Sequence, residues 1–190
     1  NFLAGWTGLN HEDWRYTEYR RFGTIGYWAM SYAGLHMVPT LVVFAGMHPL
    51  HAASTGDAGF GALCFAGASL ALLTISIESM AGLQKRRFRN SGGSGVLIEG
   101  LWSLVRHPNY LGEIGFWWGL ALFGIAAGEA WTVAGALAVT LLFAVISIPL
   151  MDRRMEQRRP GYRTATGGLP ALVPSLRSAG RWFSRTTWRT

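Results

Sequence analysis

The sequence predicts an all-α fold, a polytopic helical membrane protein with at least four transmembrane helices, and three observations carry that expectation. Half of its 190 residues are apolar while only 14% are charged. The apolar residues form continuous stretches instead of one face of a 3.6-residue pattern. Four such stretches, at about 24–47, 59–79, 111–127 and 130–151, approach the roughly 20 residues that a bilayer core demands. The charges supply the third observation. All 17 Lys and Arg fall at Arg15–Arg21, Lys85–Arg106 and Arg153–Arg189, leaving 48–58 and 128–129 without any. Cytoplasmic loops collect Lys and Arg, so the expected topology is a single membrane domain over 1–190 with a cytoplasmic tail at 152–190. The net charge of +7 then reads as an orientation signal. It does not point to nucleic acid, since no basic stretch sits on a segment large enough to fold alone. The chain begins at Asn1 with no initiator Met, and further spans upstream are expected.

Before the first span, Trp6, Trp14, Tyr16, Tyr19 and Phe22 stand among Glu12, Asp13, Arg15, Arg20 and Arg21, the composition of an interfacial belt. The first span holds His36 three residues before Pro39. The proline removes a hydrogen bond to the Leu35 carbonyl and kinks the helix. An ionisable side chain at membrane depth is a functional candidate, though a neutral His satisfied by the freed carbonyl fits equally. His48 and His51 lie in a short expected turn near Asp57, and no third ligand stands at metal-binding spacing. The small residues of the second span favour a close helix contact, and Cys64 is one of them.

The second span ends in Glu78, Gly82 and Lys85, which recur at helical spacing and would line one side of an anion site. A Gly-Ser connector at 90–95 follows. Then Arg106, His107, Pro108, Asn109, Tyr110 and Glu113 crowd into eight residues before an apolar helix. Pro108 suits the first turn of that helix. Its first amides together with Arg106 favour an anionic group such as phosphate, and Glu113 must face a partner or a cavity. The pattern Gly115-x-x-x-Gly119 allows a tight helix contact. The hairpin at Gly128-Glu129 is short, so the basic tail with Arg159, Pro160, Gly161 and Tyr162 should return beside Arg106–Glu113 and share one site with it.

Glu12-Asp13-Trp14-Arg15-Tyr16, the run Arg106-His107-Pro108-Asn109-Tyr110-Leu111-Gly112-Glu113, and Arg158-Arg159-Pro160-Gly161-Tyr162 followed by Leu172-Val173-Pro174 resemble the membrane-embedded steroid 5-alpha-reductase-like superfamily, which includes isoprenylcysteine methyltransferase-like enzymes. The bacterial reductase-like branch is the most similar. The resemblance spans about 12–175. It implies an NADPH site open to the cytoplasm and hydride transfer to a carbon–carbon double bond conjugated to a carbonyl in a steroid-like or other lipid. Asn109, Tyr110 and Glu113 fall on the motif for the cofactor, with Arg106, His107, Arg159 and Tyr162 added as its neighbours; His36 and Glu78 are the candidate catalytic residues. The methyltransferase relatives use S-adenosylmethionine with a similar Arg-His-Pro-x-Tyr motif, but usually carry paired glutamates where this chain has Asp152 and Glu156. This chain also has Gly82 where the bacterial branch has Asp, and His36 where Gln is expected. The alternatives are therefore an S-adenosylmethionine-dependent methyltransferase of a lipid or prenylated substrate, and a non-catalytic lipid-binding or accessory subunit. Expected partners are membrane lipids, a lipidic substrate and a membrane partner subunit, with no metal and no nucleic acid.

Overall fold

A computed structural model describes residues 12–56 and 59–180, so Trp6, Asp57 and the tail from 181 lie outside the described residues. Among the described residues all regular structure is helical. They fall into two compact units that divide between Ala45 and Gly46.

The first unit opens with α1 (Trp14–Tyr19), capped by Asp13, whose carboxylate accepts from the Arg15 amide. After a 3-10 turn at Arg20–Phe22 come α2 (Gly23–Met30), a π-helical segment at Ser31–Met37, and the start of α3 (Val38–Thr55). The π segment follows from Pro39. A proline cannot donate to the carbonyl four residues back, and the last amide before it, that of Val38, reaches back five residues to Ala33. The same device recurs before Pro149, where the Ile148 amide donates to Phe143 across a π segment at Leu142–Ser147. Large apolar side chains such as Ile25, Trp28 and Phe44 point outward, as lipid-facing residues do.

In the second unit α4 (Ala62–Asn90) packs along α5 (Pro108–Ala126). Small residues set that contact. A Cβ built on Gly119 would lie 2.9 Å from the Gly67 carbonyl oxygen, and one on Gly67 would lie 2.7 Å from that of Gly119. A Cβ on Gly112 would lie 2.8 Å from both the Thr74 carbonyl and Glu78 Cβ. The backbones thus approach as closely as glycine permits, which maximises dispersion contact where lipid tails offer no hydrophobic drive. A 3-10 turn at Ala130–Thr132 then leads into α6 (Val133–Leu141), the second π segment, α7 (Ile148–Arg158) and the short α8 (Tyr162–Thr166).

Three helical runs, Trp14–Thr55, Ala62–Asn90 and Ala130–Arg158, are long and apolar enough to cross a membrane. The expected span 111–127 corresponds to α5, which is not among them. Its 19 residues reach about 28 Å, but Asn109, Tyr110, Glu113, Trp117 and Trp118 dilute its hydropathy. Its Ile114, Trp117, Leu120 and Ala121 are buried against neighbouring helices, and a helix of this length still reaches across a bilayer core. Two boundaries also move. Helix α4 continues eleven residues beyond Ser79, to Asn90, because Gln, Lys and Arg are good helix formers outside the bilayer as well as at its edge. Helix α3 runs through Pro49 to Thr55, so His48 and His51 are helical and not in a turn. Their rings lie 6.2 Å apart, and no cluster of three metal-ligating residues occurs among the described residues.

Candidate functional site

The site grows from the turn before α5. A 3-10 turn at Gly100–Ser103 is held to α4 by Gln84, whose side-chain oxygen accepts from the Leu101 amide at 3.0 Å, and by Trp102 Nε1, which donates to the Ala81 carbonyl at 3.1 Å. Gly100 takes φ +56°, a left-handed conformation that favours glycine. Pro108 then starts α5 at its first position, and His107 precedes it with a non-helical backbone, φ −131° and ψ 65°. The tail returns to this turn. The amides of Arg106 and His107 donate to the carbonyls of Pro170 and Ala171 at 2.9 and 3.0 Å.

Asp152, on α7, organises the side chains. Its Oδ1 accepts from His107 Nε2 at 2.9 Å and from the Tyr162 hydroxyl at 2.8 Å, while Oδ2 lies 3.0 Å from Arg106 Nη2. The His107 ring is buried, and that burial holds its pKa below the usual value. The hydrogen bond and charge of Asp152 pull the other way, while Arg106 and Lys85 add to the lowering. His107 is therefore a neutral donor to Asp152 and not half of an ion pair, which fixes the proton on Nε2. Tyr162 is pushed above the usual phenol range, first by burial and then by Asp152, and remains a hydroxyl donor. Arg106 also donates through Nη1 to the Leu169 carbonyl at 3.1 Å, but its buried Nε has no partner.

Around this network opens a cavity of about 140 Å³. Four cations line it: Lys85 and Arg89 from the end of α4, Arg106, and Arg159. Phe88, Trp102, Tyr110 and Tyr162 supply aromatic surface, and no Asp or Glu is among the described residues of its wall. Lys85 Nζ stands 5.8 Å over the Trp102 ring, and the His107 and Tyr110 rings stack at 5.1 Å. Arg159 clamps the Gly-Ser connector by donating to the carbonyls of Ser94, at 3.0 Å, and Gly95. Like charges gathered on a partly dry surface repel one another, and an anion seated among them removes that cost.

Six of the residues expected at the site, Arg106, His107, Asn109, Tyr110, Arg159 and Tyr162, line this one cavity. The motif before α5 and the motif after α7 therefore form a single site. Glu113 and Glu78 do not line it. Glu113 is one turn further along α5, and Glu78 packs its Cβ against Gly112, which leaves the two carboxylates near enough for their charges to interact. His36 belongs to the first unit, where its Nε2 lies 2.9 Å from the Tyr16 hydroxyl. Sequence reasoning put Lys85 on one side of an anion site and Asp152 near Tyr110 but gave Asp152 no role, and it did not find Arg89 or Trp102. Lys85 carried a signal, its helical spacing from Glu78. The signal for Asp152 was its place one residue past the expected end of the last span, opposite the start of α5.

Comparison with curated proteins and with solved structures finds no match. A family model described as "Protein of unknown function (DUF1295)" matches residues 2–166, a stretch that takes in every residue lining the cavity. With that match over most of its length, the chain belongs to the DUF1295 family of membrane proteins.

Proposed function

We propose that this protein is a membrane-embedded, NADPH-dependent reductase of a carbon–carbon double bond conjugated to a carbonyl in a steroid-like or other lipid. One observation carries the reading: a cavity with four cations and aromatic walls, no carboxylate in that wall, and an unmet Arg106 Nε–H within the network behind it. A dinucleotide bearing a pyrophosphate and a 2′-phosphate needs several cations and flat apolar surface. Lys85, Arg89 and Arg106 would hold phosphate oxygens, Phe88 and Trp102 would flank a planar ring, and Asp152 would keep Arg106 and Tyr162 in place. The enclosed volume suits one part of such a ligand and leaves the rest to the open mouth. When bound, NADPH supplies the hydride that adds to the β-carbon of the enone. By the positive-inside rule the mouth faces the cytoplasm, since Lys85–Arg106 and the residues after Asp152 are the basic segments.

S-adenosylmethionine fits the cavity less well, because its sulfonium would enter a wall of like charge. Titration calorimetry of the full chain in detergent, with NADPH and with S-adenosylmethionine, tests the choice. Saturable NADPH binding is expected. Binding of the methyl donor without binding of NADPH would overturn the reductase reading.

A further inference from the structure

The connector between α4 and the turn at Gly100–Ser103 forms one side of the cavity, where Val96 and Leu97 are half-buried and line it. Its backbone is almost untied. The end of α4 closes with the Gly93 amide donating to the Phe88 carbonyl at 3.0 Å. From there, among the described residues, 94–97 make only the hydrogen bonds in which Arg159 Nη1 donates to the carbonyls of Ser94, at 3.0 Å, and Gly95. Left-handed glycines stand towards both ends, Gly92 at φ +79° and Gly100 at φ +56°, and small residues beside a loop are positions that can absorb a hinge motion. Holding such a coil in one place costs conformational entropy, and one guanidinium supplies the hydrogen bonds that offset it.

Arg159 has a second edge. It too lines the cavity, and among the described residues its Nε and Nη2 carry no hydrogen bond. A guanidinium spreads five donors around a rigid plane, so one arginine can hold two carbonyls and an anion at once. It also stands among like charges. Lys85 is within reach of the charges of Arg89 and Arg159, and an anion among them removes a repulsion that works against keeping Arg159 in place.

We propose that 94–97 is a strap over the cavity, that Arg159 is its latch, and that an anion in the cavity tightens the latch. The inference rests on the cavity being the NADPH site proposed above, and it gives that site a gate: the two bonds from Arg159 break for the nucleotide to enter or leave. Linkage makes the effect mutual, so whatever the nucleotide adds to the latch, the latch adds to the hold on the nucleotide.

Opening is read from a thiol on the strap, as the rate at which a water-soluble maleimide modifies the full chain in detergent carrying Cys64→Ala and Leu97→Cys. Replacing Arg159 by Gln should raise that rate about tenfold or more, the range for losing hydrogen bonds from a charged group. Arg159→Lys, which keeps the charge without the fork, should fall between the two. Saturating NADPH should slow the reaction with Arg159 in place and slow it much less in the Gln variant. The control is Ser103→Cys in the same Cys64→Ala background, a buried position in the neighbouring turn, whose rate should not follow Arg159. A rate at 97 that Arg159→Gln leaves unchanged overturns the latch. So does an equal rise at 97 and 103, which would mean general loosening. NADPH that binds by calorimetry yet leaves the rate at 97 unchanged overturns the gate. NADPH that does not bind, while the Arg159 variants still react faster at 97 alone, strikes the nucleotide reading and supports the latch.

Discussion

His107 and Tyr162 meet on one atom: both donate to Oδ1 of Asp152, at 2.9 and 2.8 Å, while Arg106 takes Oδ2 at 3.0 Å. One carboxylate thereby ties the start of α5 and the turn before it to α7 and α8. Removing it leaves three donors unmatched at once, two of them on well-buried side chains. Asp152→Ala should lower unfolding stability by about 2–4 kcal/mol, whereas Asp152→Asn, which keeps one acceptor oxygen, should lose less. Thermal unfolding followed by tryptophan fluorescence in detergent would measure both. Equal stability of the wild type and the Ala variant would show that the shared carboxylate does not hold these elements together.

The same network sets a pH dependence. Burial lowers the His107 pKa in the fold below its ordinary 6.5, so between those two values the unfolded chain binds a proton that the folded chain does not. Stability must then rise with pH across that window. The contribution is complete above about 6.5 and is lost as pH falls towards the folded value. His107→Gln, which keeps a donor for Asp152 and cannot titrate, should flatten the slope of melting temperature against pH below 6.5. An unchanged slope would assign it to another group.

Helix α4 approaches α5 at glycine contact distance, so size at that seam should matter more than polarity. A Cβ at Gly119 already falls within 3 Å of Gly67 oxygen and the Ala71 amide, atoms of backbone that cannot swing aside. Gly119→Leu should cost about 1–3 kcal/mol by overpacking, possible relief coming only from separating the helices. Gly128→Ala serves as a control for a different cause, because nothing lies within 4 Å of its Cβ position but its φ is +84°. It should destabilise through backbone strain alone.

Much of this was readable before any coordinates. Hydropathy marks where the chain crosses lipid, Pro108 marks the start of a helix, and Gly115 and Gly119 mark a close seam, because each rests on a local property. Hydropathy does not mark where a helix stops: α4 carries Lys85 and Arg89 eleven or fewer residues beyond its apolar stretch, and this extension places them on the cavity wall. Nor does it separate a lipid-facing helix from one wrapped by protein: α5 is less apolar than the three long runs and buries Ile114, Trp117, Leu120 and Ala121. The role of Asp152 was hidden for another reason. Its three donors come from the turn before α5 and from α8, and only the packing of those elements against α7 makes one acidic residue the common acceptor.

Arg106 offers the sharpest separation between scaffold and ligand. Its Nη1 and Nη2 are committed to Leu169 and Asp152, while Nε is buried without a partner. A lysine has no planar fork and cannot keep both scaffold contacts and still present a further donor. If the cavity holds NADPH, Arg106→Ala and Arg106→Lys should both weaken binding by about 1.5–3 kcal/mol, roughly 10- to 100-fold, the range for a lost charge-assisted hydrogen bond. That loss has to be separated from a general loosening of the site. Tyr162→Phe makes the separation, since it deletes one donor to Asp152 and keeps the ring in the cavity wall without touching the guanidinium. Its thermal stability should fall while its NADPH affinity stays within a few fold of the wild type. Calorimetric titration of the three variants beside their melting curves decides the matter. An affinity that tracks stability across all three would assign the Arg106 effect to the scaffold, and an affinity that falls only in the Arg106 variants would assign it to direct contact with the nucleotide.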